Sequence, residues 1–89
     1  MFRPLSGFKA QYHYFTLVVS ADFDEWRVLA MGPGFTVQGQ RQFSEARAKE
    51  HARQAAAAYI REQKKEDLPV IEQPEWTPLA PGEWMDYRP

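Results

Sequence analysis

The first regular pattern of apolar and polar positions falls on residues 11–20, QYHYFTLVVS. Alternation places Phe15, Leu17 and Val19 on one face and Tyr14, Thr16 and Val18 on the other. Because both sets are largely apolar and rich in β-branched and aromatic residues, the pattern predicts a strand near the middle of a sheet. The stretch before it, residues 1–8, contains Pro4 and Gly7 and is predicted to be an irregular lead-in.

Two further strands are predicted, each preceded by turn residues. The segment ADFDE at residues 21–25 supplies aspartates that favour a turn, and residues 26–31 alternate again. A Gly-Pro-Gly sequence at residues 32–34 then reverses the chain, because Pro fixes φ and Gly permits positive φ. The third strand is predicted for residues 35–40, where Gly39 indicates a bulge or a close approach of the neighbouring helix. These strands form a three-stranded antiparallel meander.

One long helix is predicted after the meander. Ser44 is a good N-cap and Glu45 favours the helix dipole, so the helix should begin there, run to about Lys65 and stop before Pro69. Its apolar stripe, at spacings of three and four, is mostly alanine, which lets a helix lie close to a sheet. The stripe consists of Ala48, Ala52, Ala55, Ala56, Tyr59 and Ile60.

The pattern makes one α+β domain, three antiparallel strands packed on one long helix (β-β-β-α), over residues 1–71. An extended Pro-rich tail follows, residues 72–89. Residues 1–65 hold ten Lys or Arg against six Asp or Glu, whereas residues 66–89 hold one Arg against six acids, although the net charge is only −1. That acidic end also contains five of the seven prolines and two of the three tryptophans, so it cannot be helical. It is either extended chain folded back on the body or a recognition tail.

The ionisable residues form no constellation typical of catalysis or metal binding. His13 and His51 are far apart and without ligand spacing, and Ser44 is explained by helix capping. The acidic turn of Asp22, Asp24 and Glu25 lacks the spacing of a calcium-binding loop. The chain has no cysteine, which excludes disulfides and thiolate sites, and no apolar run near the ~20 residues of a membrane helix. We expect a cytoplasmic, non-enzymatic protein that uses no metal or cofactor and does not bind membranes.

Taken in order, these signals resemble the HicB-like antitoxin domain family. The resemblance is carried by Trp26-Arg27-Val28, Pro33-Gly34, Gly39, Phe43, Glu45-Ala46, Ala52 and Ile60. It covers roughly residues 12–71, and no DNA-binding module of the kind many such antitoxins carry is evident. The resemblance implies a last element after the helix at residues 68–71, which is a candidate short fourth strand. It also implies a protein that neutralises a small, basic, RNA-cleaving toxin by covering its active surface, or an orphan of that family.

The acidic and aromatic residues of the tail are the predicted partner-binding residues. An acidic segment is attracted to a basic RNA-binding face, and Trp and Tyr commonly anchor interfaces. The candidates are Glu75, Trp76, Glu83, Trp84, Asp86 and Tyr87. The structural alternative is that the two tryptophans pack over an exposed face of the sheet.

A second interpretation is nucleic-acid binding through the basic body, although the near-neutral total charge argues against a clustered phosphate-binding surface. Its residues would be Lys9, Arg27, Arg41, Arg47, Lys49, Arg53, Lys64 and Lys65.

A single helix leaves one face of the sheet uncovered, with Tyr12, Tyr14, Thr16 and Val18 predicted along it. Either the Trp-bearing tail or a second copy should hide that patch, and we expect a homodimer.

Overall fold

The computed structural model describes residues 7–22 and 25–79, which form an antiparallel sheet packed against one helix. The elements in chain order are β1 Gly7–Tyr12, β2 Phe15–Asp22, β3 Glu25–Gly32, β4 Phe35–Gln38, α1 Glu45–Glu62 and β5 Thr77–Pro78. The strands lie in the order β4-β3-β2-β1-β5, and every neighbouring pair is antiparallel. The predicted α+β class is therefore confirmed. Within the described ranges, no helix combines the length and apolar character needed to cross a membrane.

The segment predicted as one strand over residues 11–20 is two strands joined by a tight turn. His13 and Tyr14 make this turn, and His13 has a φ of 53°, in the left-handed region. The prediction of one strand was wrong because His and Tyr are not among the Gly, Asn and Asp residues that mark such turns. As a result β1 begins at Gly7, inside the predicted lead-in, and the meander has four strands instead of three.

The same turn changes the face on which Tyr12 lies. In one uninterrupted strand Tyr12 and Tyr14 would share a face, but Tyr12 is paired directly opposite Phe15. Directly opposite residues point to the same side of an antiparallel sheet. Tyr12 is 2% exposed and lies in the core with Phe15, and Tyr14 packs against that core too. The patch predicted on the uncovered face is thus reduced to Thr16 and Val18.

The hairpin between β3 and β4 follows the predicted Gly-Pro-Gly reversal. Pro33 and Gly34 are its two central residues, and Gly34 has a φ of 78°, which is the type II pattern of Pro followed by Gly. The strand ends differ slightly from the prediction: β3 includes Glu25 and Gly32, and β4 stops at Gln38.

Gly39 marks a β-bulge immediately after β4. Its N–H donates to the carbonyl of Val28 at 2.9 Å, and the next bonded pair joins Trp26 to Gln42. The β4 side therefore carries one residue more than β3 between these two pairs, which defines a bulge. A Cβ on Gly39 would lie 2.9 Å from the ring of His51 in α1. Both predicted reasons for a glycine, the bulge and the close helix, are confirmed.

The helix begins and packs as predicted. Ser44 is the N-cap, and its Oγ accepts a hydrogen bond from the N–H of Arg47 at 3.2 Å. The last helical residue is Glu62 instead of about Lys65. The buried stripe is Ala48, Ala52, Ala56 and Ile60. It faces the inward side chains of the sheet, which are Tyr12, Phe15, Leu17, Val19, Val28 and Ala30.

Residues 63–79, named here the return segment, follow α1 back along the body. Leu68, Ile71 and Trp76 pack against the core, and β5 pairs with Phe8 and Lys9 of β1. The candidate fourth strand at residues 68–71 is not a strand, because its backbone groups bond to the side chains of Tyr12 and His13. The added strand is β5, which belongs to the predicted tail. As far as residue 79, the tail folds back on the body.

Candidate interaction surfaces

Of the six predicted partner-binding residues, the structure describes Glu75 and Trp76. Trp76 is partly buried against the core, and Lys49 Nζ lies 5.7 Å from the centre of its ring. Glu75 is exposed. The remaining four, Glu83, Trp84, Asp86 and Tyr87, lie outside the described residues. Trp76 therefore holds the return segment against the core beside α1, and not over the uncovered face of the sheet that the structural alternative predicted.

An open cleft of about 200 Å³ lies between the first half of α1 and the return segment. Its basic side is formed by Lys49 and Arg53, and both are paired with carboxylates of α1. Lys49 Nζ lies 2.8 Å from Glu45 Oε2, and Arg53 Nε donates to Glu50 Oε1 at 3.0 Å. The hydrogen bond from Arg53 lowers the pKa of Glu50, and the same bond raises the pKa of Arg53. Because these charges are paired, the two cations do not make the cleft an anion site.

A smaller cleft of about 110 Å³ lies between the β1-β2 turn and the return segment. The two are joined by hydrogen bonds between His13 Nε2 and Pro69 O, from Ile71 N to Tyr12 Oη at 3.4 Å, and from Tyr14 Oη to Glu66 Oε1 at 3.0 Å. Burial, followed by the bond to Glu66, raises the pKa of Tyr14. His13 thus has a structural role as a donor to a backbone carbonyl. No group of three His, Cys, Asp or Glu in the described part of the chain is placed to hold a metal.

β4 forms one edge of the sheet, with β3 as its neighbour on the other side. Along an antiparallel ladder, residue pairs that are joined by backbone hydrogen bonds alternate with pairs that are not. Gly39 N bonds to Val28 O, so Gly39 and Val28 are a bonded pair and the preceding pair, Gln38 with Leu29, is not. Phe35 and Val37 therefore bond to β3, whereas the backbone N–H and C=O groups of Thr36 and Gln38 point away from the sheet. Both residues are exposed. Among the described residues no strand pairs with this side, which we name the β4 edge.

The far end of the β4 edge carries an exposed aromatic side chain. Beyond the bulge, Gln42 still bridges to Trp26, and the next residue, Phe43, is 75% exposed. Arg41 lies between the bulge and this bridge, and its guanidinium is 3.2 Å from Glu25 Oε2. Free backbone groups beside an exposed aromatic side chain are the features by which strand-binding domains gain affinity and selectivity.

Comparison of this chain with protein-family models, with curated proteins and with solved structures finds no match. The resemblance to HicB-like antitoxins stays a hypothesis based on the sequence. Function therefore has to be argued from the surfaces themselves.

The basic residues proposed for nucleic-acid binding are distributed over several surfaces. Arg41, Lys49 and Arg53 are in ion pairs with Glu, and Lys64 Nζ lies 5.4 Å from the centre of the Phe35 ring. Lys9 lies on β1, opposite Val18, on the sheet face turned away from α1. Nucleic-acid binding without sequence specificity relies on clustered phosphate contacts. These five cations lie on different elements, and three of them are in ion pairs, so they do not present such a cluster.

The β4 edge was not predicted as a site, although the sequence held a signal for it. The last strand of a meander keeps a free side unless a later segment pairs with it. Residues 68–71 were the predicted later strand, and they bond elsewhere. The edge could have been found by asking which strand lacked a second neighbour.

Proposed function

We propose that this chain is a non-enzymatic protein-interaction domain that binds an extended segment of a partner along the β4 edge. The observation that carries this proposal is the pair of outward-facing peptide groups at Thr36 and Gln38. Unpaired N–H and C=O groups at a sheet edge are a template for another strand. A bound segment would complete the ladder on β4 and reach the exposed ring of Phe43.

In the absence of another partner, we propose that a second copy occupies the edge and forms a homodimer. Antiparallel pairing of Thr36 with Gln38 of the second copy is self-complementary, as a two-fold interface must be. It places Val37 at the two-fold axis and makes four backbone hydrogen bonds. At about 1 kcal/mol each, these bonds give at most roughly 4 kcal/mol before the cost of association is subtracted, so the Kd is no tighter than about 1 mM. The homodimer is therefore weak, and a partner that also contacts Phe43 binds more tightly.

The chemistry of the other partner is proposed from the resemblance to HicB-like antitoxins: a small, basic, RNA-cleaving protein. Supporting this choice, the return segment exposes four carboxylates, at Glu66, Asp67, Glu72 and Glu75. An acidic surface accelerates association with a basic protein and favours it over acidic ones. The same proposal assumes a cytoplasmic location, which the absence of cysteine supports.

Gln38→Pro tests the edge, with Gln38→Ala as its matched control. Proline removes the outward N–H and its ring obstructs an incoming strand, yet an edge strand tolerates it because that donor bonds to nothing in β3. Sedimentation equilibrium up to ~1 mM should show the average mass of the unmodified chain and of Q38A rising toward that of a dimer. Q38P should remain a monomer. A Q38P protein that dimerises as well as Q38A would refute docking at the β4 edge.

The partner is tested by co-expression with the product of the adjacent reading frame. A small basic protein encoded there should co-purify with the chain and with Q38A, should be lost with Q38P, and should lose its RNA-cleaving activity when bound. Binding of this chain to immobilised RNA that weakens steeply with salt, without any bound protein, would favour the nucleic-acid interpretation instead.

A further inference from the structure

The side of α1 that faces β4 has an apolar side chain that is only partly covered. His51 lies close to the bulge after β4, and the Tyr59 ring stacks on that of Phe35 with a centroid distance of 4.7 Å. Ala55 is four residues from His51 and from Tyr59, so it lies on the same side of the helix. Ala55 is half-buried and is not among the side chains that pack against the core.

Two side chains of β4 continue this apolar surface to the β4 edge. Val37 is paired with Ala30 of the core, so Val37 points to the same side of the sheet as α1. Phe35, two residues earlier, points to that side too, and both are half-buried. The Phe35 ring leans back over Gly32 of β3, so it does not project over the space beside the β4 edge. We name the surface formed by Phe35, Val37, Ala55 and Tyr59 the edge shelf.

We propose that the segment bound at the β4 edge carries large apolar side chains at two alternate positions, which pack on the edge shelf, and an acidic side chain two positions later. The occupant is a segment of a partner protein, added as an antiparallel strand with the pattern apolar-x-apolar-x-acid. The pattern rests on the proposed function, because it describes the segment that the β4 edge binds.

The backbone of β4 requires the alternation. The outward-facing groups of Thr36 and Gln38 form the bonded pairs with an added strand, so the residues opposite Val37 and Phe35 form the non-bonded pairs. Side chains of non-bonded pairs lie closer together, and directly opposite residues point to the same side of the sheet. The two residues opposite Val37 and Phe35 therefore contact the edge shelf. The residue between them points to the other side, where Thr36 is exposed.

The edge shelf favours large side chains. Because α1 lies over β2 and β3 and neighbouring strands are about 4.8 Å apart, an added strand lies roughly 12 Å to the side of the helix axis. A helix with its side chains has a radius of about 5 to 6 Å, which leaves a lateral gap of roughly 6 Å. The short side chain of Ala55 does not bridge this gap. A large apolar side chain of the added strand fills it against Val37 and Ala55.

A lysine at the Phe35 end of the edge shelf selects the acidic side chain. Lys64 is exposed, and its Nζ lies 5.4 Å from the centre of the Phe35 ring. None of the ion pairs within residues 7–22 and 25–79 involves Lys64. An antiparallel strand passes Val37 before Phe35, so its next side chain on the α1 side comes two residues later. A carboxylate at that position approaches Lys64, and complementary charge favours this register.

A second copy of the chain matches this pattern less well. In the symmetric pairing of two β4 strands, Val37 lies opposite Val37 of the second copy, and Phe35 lies opposite its Gly39. Only one of the two positions then carries an apolar side chain. The residues that follow contain no acid; they are Gln40, Arg41 and Gln42. The edge shelf therefore favours a different partner over the homodimer.

Three synthetic peptides test the pattern in anisotropy titrations, each with capped termini and a fluorescein label. STITFTES carries Ile, Phe and Glu in the proposed spacing. STTIFTES has the same composition, but its Ile and Phe are adjacent, so no register points both to the edge shelf. The full chain should bind STITFTES at least about fivefold more tightly than STTIFTES, in which one large apolar side chain stays in solvent. STITFTQS lacks the acid and should bind about twofold more weakly than STITFTES, the scale of an exposed ion pair.

Variants of the chain assign these preferences to the edge shelf. Ala55→Glu places a carboxylate on the shelf and should abolish the preference for STITFTES over STTIFTES. Gln54→Glu is the matched control, because Gln54 is exposed and adds the same charge one residue away, and it should keep the preference. Lys64→Gln should abolish the preference for STITFTES over STITFTQS. Equal preferences in the Ala55→Glu and Gln54→Glu variants would overturn the contact with the shelf.

Failure of the pattern is distinguishable from failure of docking at the β4 edge. Equal binding of STITFTES and STTIFTES that is lost in Gln38→Pro would overturn the pattern and leave docking at the edge intact. Binding of STITFTES that survives Gln38→Pro would overturn both, because the peptide then does not pair with β4. No binding of STITFTES up to ~1 mM would overturn the pattern, while dimerisation of Q38A compared with Q38P still decides the proposed function.

Discussion

Replacing Gly39 by alanine tests how closely α1 approaches the bulge. The added Cβ would lie 2.9 Å from Cδ2 and Nε2 of His51 and 2.9 Å from Cγ1 of Val28. Contacts this short require a neighbour to move. Val28 is buried in the core and has little room, so the imidazole ring has to yield.

The expected loss of stability follows from the interactions that the His51 ring would lose. His51 Nε2 accepts a hydrogen bond from Gln40 N at 3.1 Å, and breaking it costs about 1 kcal/mol. Overpacking a close-packed site adds roughly 1 to 3 kcal/mol. We therefore expect Gly39→Ala to lower the free energy of unfolding by at least about 2 kcal/mol, which is the lost hydrogen bond plus the low end of the overpacking cost.

The assay is urea denaturation, where a lower midpoint with an unchanged slope reports lost stability. In a His51→Ala background the ring is gone, so the cost of Gly39→Ala should fall to about 1 kcal/mol, a coupling of about 1 kcal/mol. Gly34→Ala is the control, since its Cβ would meet nothing within 4 Å and its φ of 78° is the only source of strain. Its cost should not depend on His51.

The reasoning would be refuted by a Gly39→Ala variant as stable as the unmodified chain. It would also be refuted if the cost were the same with and without the imidazole. In that case the cost would come from the contact of the added Cβ with Val28 and not from the closeness of the helix.

Two further predictions concern the helix. Ser44→Ala should cost about 1 kcal/mol of unfolding free energy in urea denaturation, because it removes the acceptor for Arg47 N, whereas Ser44→Asp should retain most of the stability. Glu50 has a lowered pKa because Arg53 donates to it, so its stabilising effect is present above the ordinary carboxyl pKa and is lost as the pH falls through the lowered value. Glu50→Gln should therefore reduce the loss of stability on acidification by about 0.3 to 0.5 kcal/mol, the range for a solvent-screened ion pair on a helix surface. An unchanged or steeper acid dependence would contradict this prediction.

The part of the chain from β2 to α1 was predictable because its signals are local. Alternation marked the strands, Pro33 and Gly34 marked their turn, and Ser44 marked the helix start. Gly39 was even assigned the correct physical reason. The strand alternation, the turn and the helix start depend on residues within a few positions, so no knowledge of the tertiary fold was needed for them.

The rest depended on contacts between distant residues. The β1-β2 turn requires a positive φ at His13, which the sequence does not announce, so β1 was merged with β2. Without β1 there was no partner for β5, and the return segment could not be recognised as part of the body. The β4 edge was missed for the related reason that a free edge is a property of the whole sheet. Local patterns do not report which strand lacks a neighbour.

The central claim, that the β4 edge binds a partner strand, is tested most directly by residue-resolved amide hydrogen exchange. Val37 N–H bonds to β3 within one chain, so its exchange should be slow at all concentrations. The N–H groups of Thr36 and Gln38 should exchange rapidly in dilute protein and slow by about tenfold or more when a second copy or the co-expressed partner is bound. Binding that leaves the exchange of Thr36 and Gln38 unchanged would contradict the claim.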